Sequence, residues 1–228
     1  MTLGRAATAE TIGTSLLLAI VVGSGIMGER LAQGNSAVTL LANSIATGAG
    51  LYALIVILGP VSGAHFNPVV SAVSVWDGRL SAQHGVVYVL AQFSGAVAGV
   101  GLAHAMFGLP IVQVSTHVRP TLGAGLGELI ATFGLVLIIS LALKYPVEAV
   151  PMAVAAFITS AYWFTSSTSF ANPAVTFARA MTDTFAGISP QSVPLFVGGQ
   201  ILGGAAATLF ARWLLGAKLA TSPEPNRN

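Results

Sequence analysis

Two Asn-Pro pairs stand deep inside apolar sequence: Asn67-Pro68-Val69 after Gly63-Ala64-His65-Phe66, and Asn172-Pro173-Ala174 after Ser169-Phe170-Ala171. Asn is a preferred helix N-cap, and Pro suits the first helical position, where its missing N–H would have had no partner. An Asn whose side-chain oxygen caps its own helix keeps an amide N–H2 that can donate toward a lumen. Two such donors facing one point would orient a hydroxyl-bearing solute by its oxygen. Two helix N-termini at the same point add positive potential, which opposes cations and protons. These residues offer selection of a neutral solute rather than bond making.

Two carboxylates also fall in apolar runs, in Glu10-Thr11-Ile12-Gly13-Thr14 and Glu128-Leu129-Ile130-Ala131-Thr132. A carboxylate within a membrane marks a functional position. It could relay protons, or it could accept hydrogen bonds from the unwound backbone before a half-helix and hold that loop's carbonyls toward a pore. Occurrence as a matched pair favours the second role. His65 could line the pore or brace its loop. His84, His104 and His117 show no metal-ligand spacing, and cysteine is absent. With no nucleophile–base pair in view either, no metal, no cofactor and no enzymatic activity are expected.

Positioning these groups requires elements that cross a bilayer. Of the 228 residues 54% are hydrophobic and 7% charged, with mean hydropathy +0.82. Soluble domains carry about 25% charged residues, so the chain cannot cover a water-facing surface and its partner is the lipid bilayer. A net charge of +2 gives no reason to expect nucleic acid. The apolar run after Arg5 contains Glu10 and is too long for a signal peptide, so it reads as a first span. Six runs approach the roughly 20 residues a span needs: Ala7–Met27, Val38–Leu58, Gln83–Met106, Gly123–Leu143, Val150–Ser167 and Val193–Leu215. Asn67–Trp76 and Asn172–Thr182 are each about 10 residues, or about 15 Å of helix. Two such half-spans from opposite sides would meet at the midplane of a core about 30 Å thick.

The markers repeat. Glu10, Asn67 and Gln92 with Gly95 and Gly99 recur in order as Glu128, Asn172 and Gln200 with Gly203 and Gly204. Three spans per copy is an odd number, so the second copy must be inverted, which places irregular elements near the midplane. One membrane domain over 1–228 is expected, with repeats of about 5–106 and 122–216 and a disordered tail over about 219–228. Cytoplasmic termini would put Arg5, Arg79, Lys144, Arg212, Lys218 and Arg227 inside and Arg30, Arg119 and Arg179 outside, in line with the positive-inside rule. The glycines near Gln92 and Gln200 are expected to let helices cross closely.

On Ser62-Gly63-Ala64-His65-Phe66-Asn67-Pro68-Val69, on Asn172-Pro173-Ala174 and on the two Glu motifs, the chain resembles the aquaporin family (major intrinsic proteins) over essentially its whole length. The resemblance implies an all-α membrane protein with six transmembrane helices and two re-entrant half-helices in an inverted repeat. It also implies a homotetramer in the cell inner (plasma) membrane, passing water and small neutral solutes. Two departures stand out. Val69 replaces the usual Ala, and Val175 replaces the filter Arg that normally follows the second motif. The family's spacing places the other filter positions at Thr47, Ser160 and Ser169. Four small uncharged side chains would make a wide constriction. Arg179, one turn after Val175, could return positive charge, but its spacing suggests the far end of the half-helix. The expected cargo is then glycerol, urea or an undissociated metalloid acid such as arsenous acid, with methylated arsenicals suggested by analogy to arsenic-associated members. The alternatives are a water-selective aquaporin and a proton-coupled secondary transporter.

Overall fold

In the computed structural model residues 1–119, 121–146 and 149–216 are described; the tail expected over 219–228 lies outside them. The helices, in order, are α1 (Leu3–Leu31), α2 (Ser36–Ser62), α3 (Pro68–Trp76), α4 (Ala82–Phe107), α5 (Leu122–Ala142), α6 (Ala149–Phe164), α7 (Pro173–Arg179) and α8 (Val193–Leu214), the last preceded by a 3-10 turn at Pro190–Ser192. Local chemistry sets the starts. Thr2, Asn35, Ser81 and Thr121 each cap a helix by accepting from a first-turn N–H. Gly63 and Gly108 end α2 and α4 at φ 86° and 68°, where a Cβ would be strained.

Five helices are long and apolar enough to cross a membrane, and α6 is a shorter apolar helix of 16 residues. Helices α1 and α2 run beyond the expected Ala7–Met27 and Val38–Leu58, while α6 and α7 end short of expectation. Helix α6 stops at Phe164 instead of Ser167, because Thr168 and Ser169 take left-handed backbone (φ 63° and 50°) that no α-helix accommodates. Helix α7 stops at Arg179 instead of Thr182, where the N–H groups of Ala180 and Met181 turn back onto Phe177 and Ala178. Both termini of the described chain, with α3, lie on one side of the bundle (the terminal side). The α4–α5 connection and α7 lie on the other (the loop side).

The long helices pack as mirrored pairs, α1 on α4 and α5 on α8. At the first crossing a Cβ on Gly95 or Gly99 would strike the backbone carbonyls of Thr11 and Ser15. At the second, one on Gly199 or Gly203 would strike those of Gly125 and Leu129. Backbone thus approaches backbone, as small residues allow between membrane helices. Gly204 does something different from the crossing role expected of it: it makes room for the Val69 side chain. The extra methyls that distinguish Val69 from Ala therefore fill a space left by a missing Cβ on α8. Large apolar side chains such as Val86, Leu90, Ile201, Leu202 and Leu209 are exposed, while Glu10, Gln92, Glu128 and Gln200 are fully buried. Lipid is the solvent such a surface fits.

Candidate functional site at the half-helix junction

Helices α3 and α7 begin where two short loops meet. Each opening Asn caps its own helix: Asn67 Oδ1 accepts from Val69 N (2.9 Å), and Asn172 Oδ1 accepts from Ala174 N (3.0 Å) and Val175 N (3.3 Å). Pro68 and Pro173 occupy the first helical positions. The amides, however, are not wholly free. Asn67 Nδ2 donates to the Ala171 carbonyl and Asn172 Nδ2 to the Phe66 carbonyl, both at 2.7 Å. One hydrogen of each amide fastens the opposite loop, and one remains for a solute.

The loops hold an unusual backbone. Ala64, Phe66, Ser169 and Ala171 all lie in the left-handed region, with φ between 49° and 50°. For residues with a Cβ this costs of order 1–3 kcal/mol each and needs support from the surroundings. Buried carboxylates supply it. Glu10 accepts from His65 N (2.9 Å), Phe66 N (2.7 Å), Ser62 Oγ (2.6 Å) and Gln92 Nε2 (2.8 Å). Glu128 accepts from Phe170 N and Ala171 N (both 2.8 Å) and from Gln200 Nε2 (2.5 Å). Each Gln then donates onward into its own half-helix, Gln92 to Ser71 Oγ and Gln200 to Thr176 Oγ1. Charge-assisted bonds to backbone N–H groups are the strong kind. This arrangement is that of a loop brace.

The side chain two places before each Asn differs between the halves. His65 bonds Ser71 Oγ through Nδ1 (3.0 Å), approaches Ser74 Oγ through Nε2 (3.5 Å), and meets the Tyr88 ring edge-on at 5.3 Å. Its counterpart Phe170 meets Phe196 edge-on at 5.1 Å. His65 is half-buried and tied to its own half-helix through Ser71.

On the loop side of the Asn pair, Thr47, Ser169 and Val175 are all buried. Ser160 is not with them. It sits on the exposed face of α6, its hydroxyl turned back to the Phe157 carbonyl (2.7 Å). The α6 group that reaches Thr47 is Tyr162, whose phenol donates to Thr47 Oγ1 at 3.2 Å. A fixed count back from Asn172 misses this. The buried positions Val154, Ile158, Ala161 and Tyr162, at helical spacing, carried the signal and put Ser160 on the opposite face. The four positions expected to form a filter are therefore not all brought together. The Ser169 hydroxyl is buried without a hydrogen-bond partner among the described residues.

Replacement of Asn172 by Asp tests the loop fastening. The cap oxygen survives but the donor to Phe66 is lost, and a carboxylate then faces a carbonyl. We expect a stability loss of about 1–3 kcal/mol, read as a lower melting temperature in detergent, with Asn172→Ser falling less. Equal melting of the Asp variant and wild type would refute the fastening.

The family model described as major intrinsic protein matches residues 1–148. Aquaglyceroporin AqpS of Rhizobium meliloti (strain 1021) is 52% identical over 213 residues, covering 93% of this chain and 91% of its own. A probable aquaporin, AqpM, of Archaeoglobus fulgidus is 32% identical over 245 residues, covering 94% and 98%. The crystal structure of the aquaglyceroporin from Plasmodium falciparum superposes with a TM-score of 0.75 over 96% of this chain and 99% of that one, at 18% identity, a likeness of fold.

Proposed function

This chain belongs to the major intrinsic protein family, whose members are channels rather than enzymes, and from that premise we propose that it passes small neutral solutes larger than water down their gradients. Glycerol, urea and undissociated metalloid acids such as arsenous acid, with methylated arsenicals, make up the proposed cargo, and water accompanies them. The observation that carries this reading is Val175, buried one turn into the loop-side half-helix where a guanidinium would otherwise fill the constriction. Asn67 and Asn172 each retain one amide hydrogen to turn a hydroxyl-bearing solute by its oxygen. Thr47, Tyr162 and Ser169 offer hydroxyls on the way in, and Val175 offers an apolar wall for the carbon side of a polyol. Glu10, Glu128 and His65 hold the loops in shape.

The apolar outer surface suits lipid and, in a homotetramer, neighbouring copies. With Arg5, Arg79, Lys144 and Arg212 on the terminal side against Arg30, Arg119 and Arg179 on the other, the orientation we propose has the termini in the cytoplasm of a plasma-membrane protein.

Stopped-flow swelling of proteoliposomes tests the reading. Wild type is expected to pass glycerol, urea and arsenous acid without saturation and without a proton gradient. Flux that collapses when the gradient is removed would point to a coupled transporter instead. Val175→Arg refills the constriction; glycerol flux should fall about tenfold or more, the scale on which a pocket rejects a misfitting group, while water flux stays within about threefold. Undiminished glycerol flux through that variant would mean that Val175 does not set the passage.

A further inference from the structure

The residue after Asn172-Pro173-Ala174 is uncharged, yet two guanidiniums stand beside the same constriction. Arg179 ends α7 and is only 2% exposed. Its Nε donates to the Ala186 carbonyl, and the guanidinium lies over the Phe170 ring, 3.4 Å from the centroid. Arg119 comes from the α4–α5 connection and places its guanidinium 5.8 Å from the same centroid. It donates to Thr168 Oγ1 and to the Phe185 carbonyl, each at 3.3 Å. Phe170 follows Ser169 directly, and Arg179 lies one helical turn beyond Val175 toward the loop side.

Neither guanidinium is neutralised. Among the described residues no carboxylate comes within ion-pair distance of Arg119 or Arg179. The buried Glu128 is engaged by Phe170, Ala171 and Gln200. The two terminal nitrogens of Arg179 have no hydrogen-bond partner among the described residues. A guanidinium kept only for packing would have its donors satisfied. The inverted repeat sharpens the point. The position matching Arg179 in the first half, seven residues after its Asn, is Ser74, which bonds His65. The matching position of the first half therefore carries a hydroxyl in place of the charge.

We propose that Arg179, backed by Arg119, is the specificity-determining charge of this channel: a fixed positive barrier set one turn outside Val175. Resting on the channel reading above, the assignment separates two jobs that one residue could do together. Size is set at Val175 and charge at Arg179. The constriction is left open to a bulky neutral solute, while a cation meets two uncompensated positive groups before it reaches the Asn pair. Flexible, hydrated lysine could supply the charge but not the stacked, ring-anchored position.

The test uses full-length protein in liposomes, reading glycerol swelling and, in parallel, proton and sodium leak with entrapped dyes under a valinomycin-clamped potential. In Arg119→Gln/Arg179→Gln the cation leak should rise about tenfold or more, as expected for removal of unit charges from a weakly screened site, while glycerol flux changes less than about twofold. Arg179→Lys should keep most of the barrier. If the double variant is not recovered folded, Arg119→Gln alone reads the same leak, with a rise of about threefold expected. Unchanged leak alongside normal glycerol flux overturns the assignment. Absent glycerol flux in wild type would overturn the channel reading itself, so the two failures are distinguishable.

Discussion

Glu128→Ala is expected to yield almost no folded protein. The substitution strips acceptors from Phe170 N, Ala171 N and Gln200 Nε2, all in a fully buried setting. A buried donor left without a partner costs about 1–3 kcal/mol, so the two backbone groups alone approach the about 5–15 kcal/mol by which proteins are stable. The loss does not stop there, because Ser169 and Ala171 keep left-handed backbone only while their neighbours are held. Glu128→Gln should fall less. Its oxygen still accepts from one N–H, although its amide hydrogens then oppose the other. Thermal melting in detergent, with size-exclusion recovery, reads both variants. A proton relay would give the reverse pattern, with normal melting and altered flux. Normal melting of Glu128→Ala would exclude the brace.

Gly95→Val and Gly203→Val should be as damaging for a different reason. A Cβ at either position would collide with a backbone carbonyl, of Thr11 or of Leu129, and a backbone atom cannot rotate aside as a side chain can. The crossing helices would have to part, at or above the upper end of the about 1–3 kcal/mol that overpacking usually costs. The parting also loosens Glu10 on α1 from Gln92 on α4, and its counterpart Glu128 on α5 from Gln200 on α8. Gly59 is the control. Nothing lies within 4 Å of a Cβ added there, so Gly59→Ala on α2 should melt no lower than wild type. Equal recovery of the Gly95→Val and Gly59→Ala variants would show that the crossing is not close-packed.

Much of this architecture can be read from residue types. Asn-Pro announces a helix start wherever it occurs, and the order of Glu, Asn and Gln-Gly markers exposes the inverted halves. Span ends follow from caps such as Asn35 and Thr121 and from glycines such as Gly63. What escapes is set by loop backbone. Apart from Gly63, the left-handed residues before each Asn are Ala64, Phe66, Thr168, Ser169 and Ala171, none of them a glycine, so nothing in their chemistry announces these turns. That backbone aims the Phe66 and Ala171 carbonyls at the opposite Asn, which is why amides that look free are half used. It also shortens α6, and a fixed count back from Asn172 reaches Ser160 on the exposed face rather than Tyr162, which meets Thr47. Arg179 is the far end of the half-helix, as its spacing suggests. Its return to Phe170 depends on the Ala186 carbonyl, contributed by a connection with no regular pattern.

The two amide-to-carbonyl bonds at the junction also impose an order on biogenesis. They join residues 104 and 106 positions apart. A ribosome adding about 5–20 residues per second needs about 5–20 s to cover that interval. Throughout it, Asn67 and the Phe66 carbonyl sit in an already inserted first half with their partners still unsynthesised. The nascent first repeat must wait with its re-entrant loop unsatisfied, so the pore's centre cannot close before the second half-helix is made.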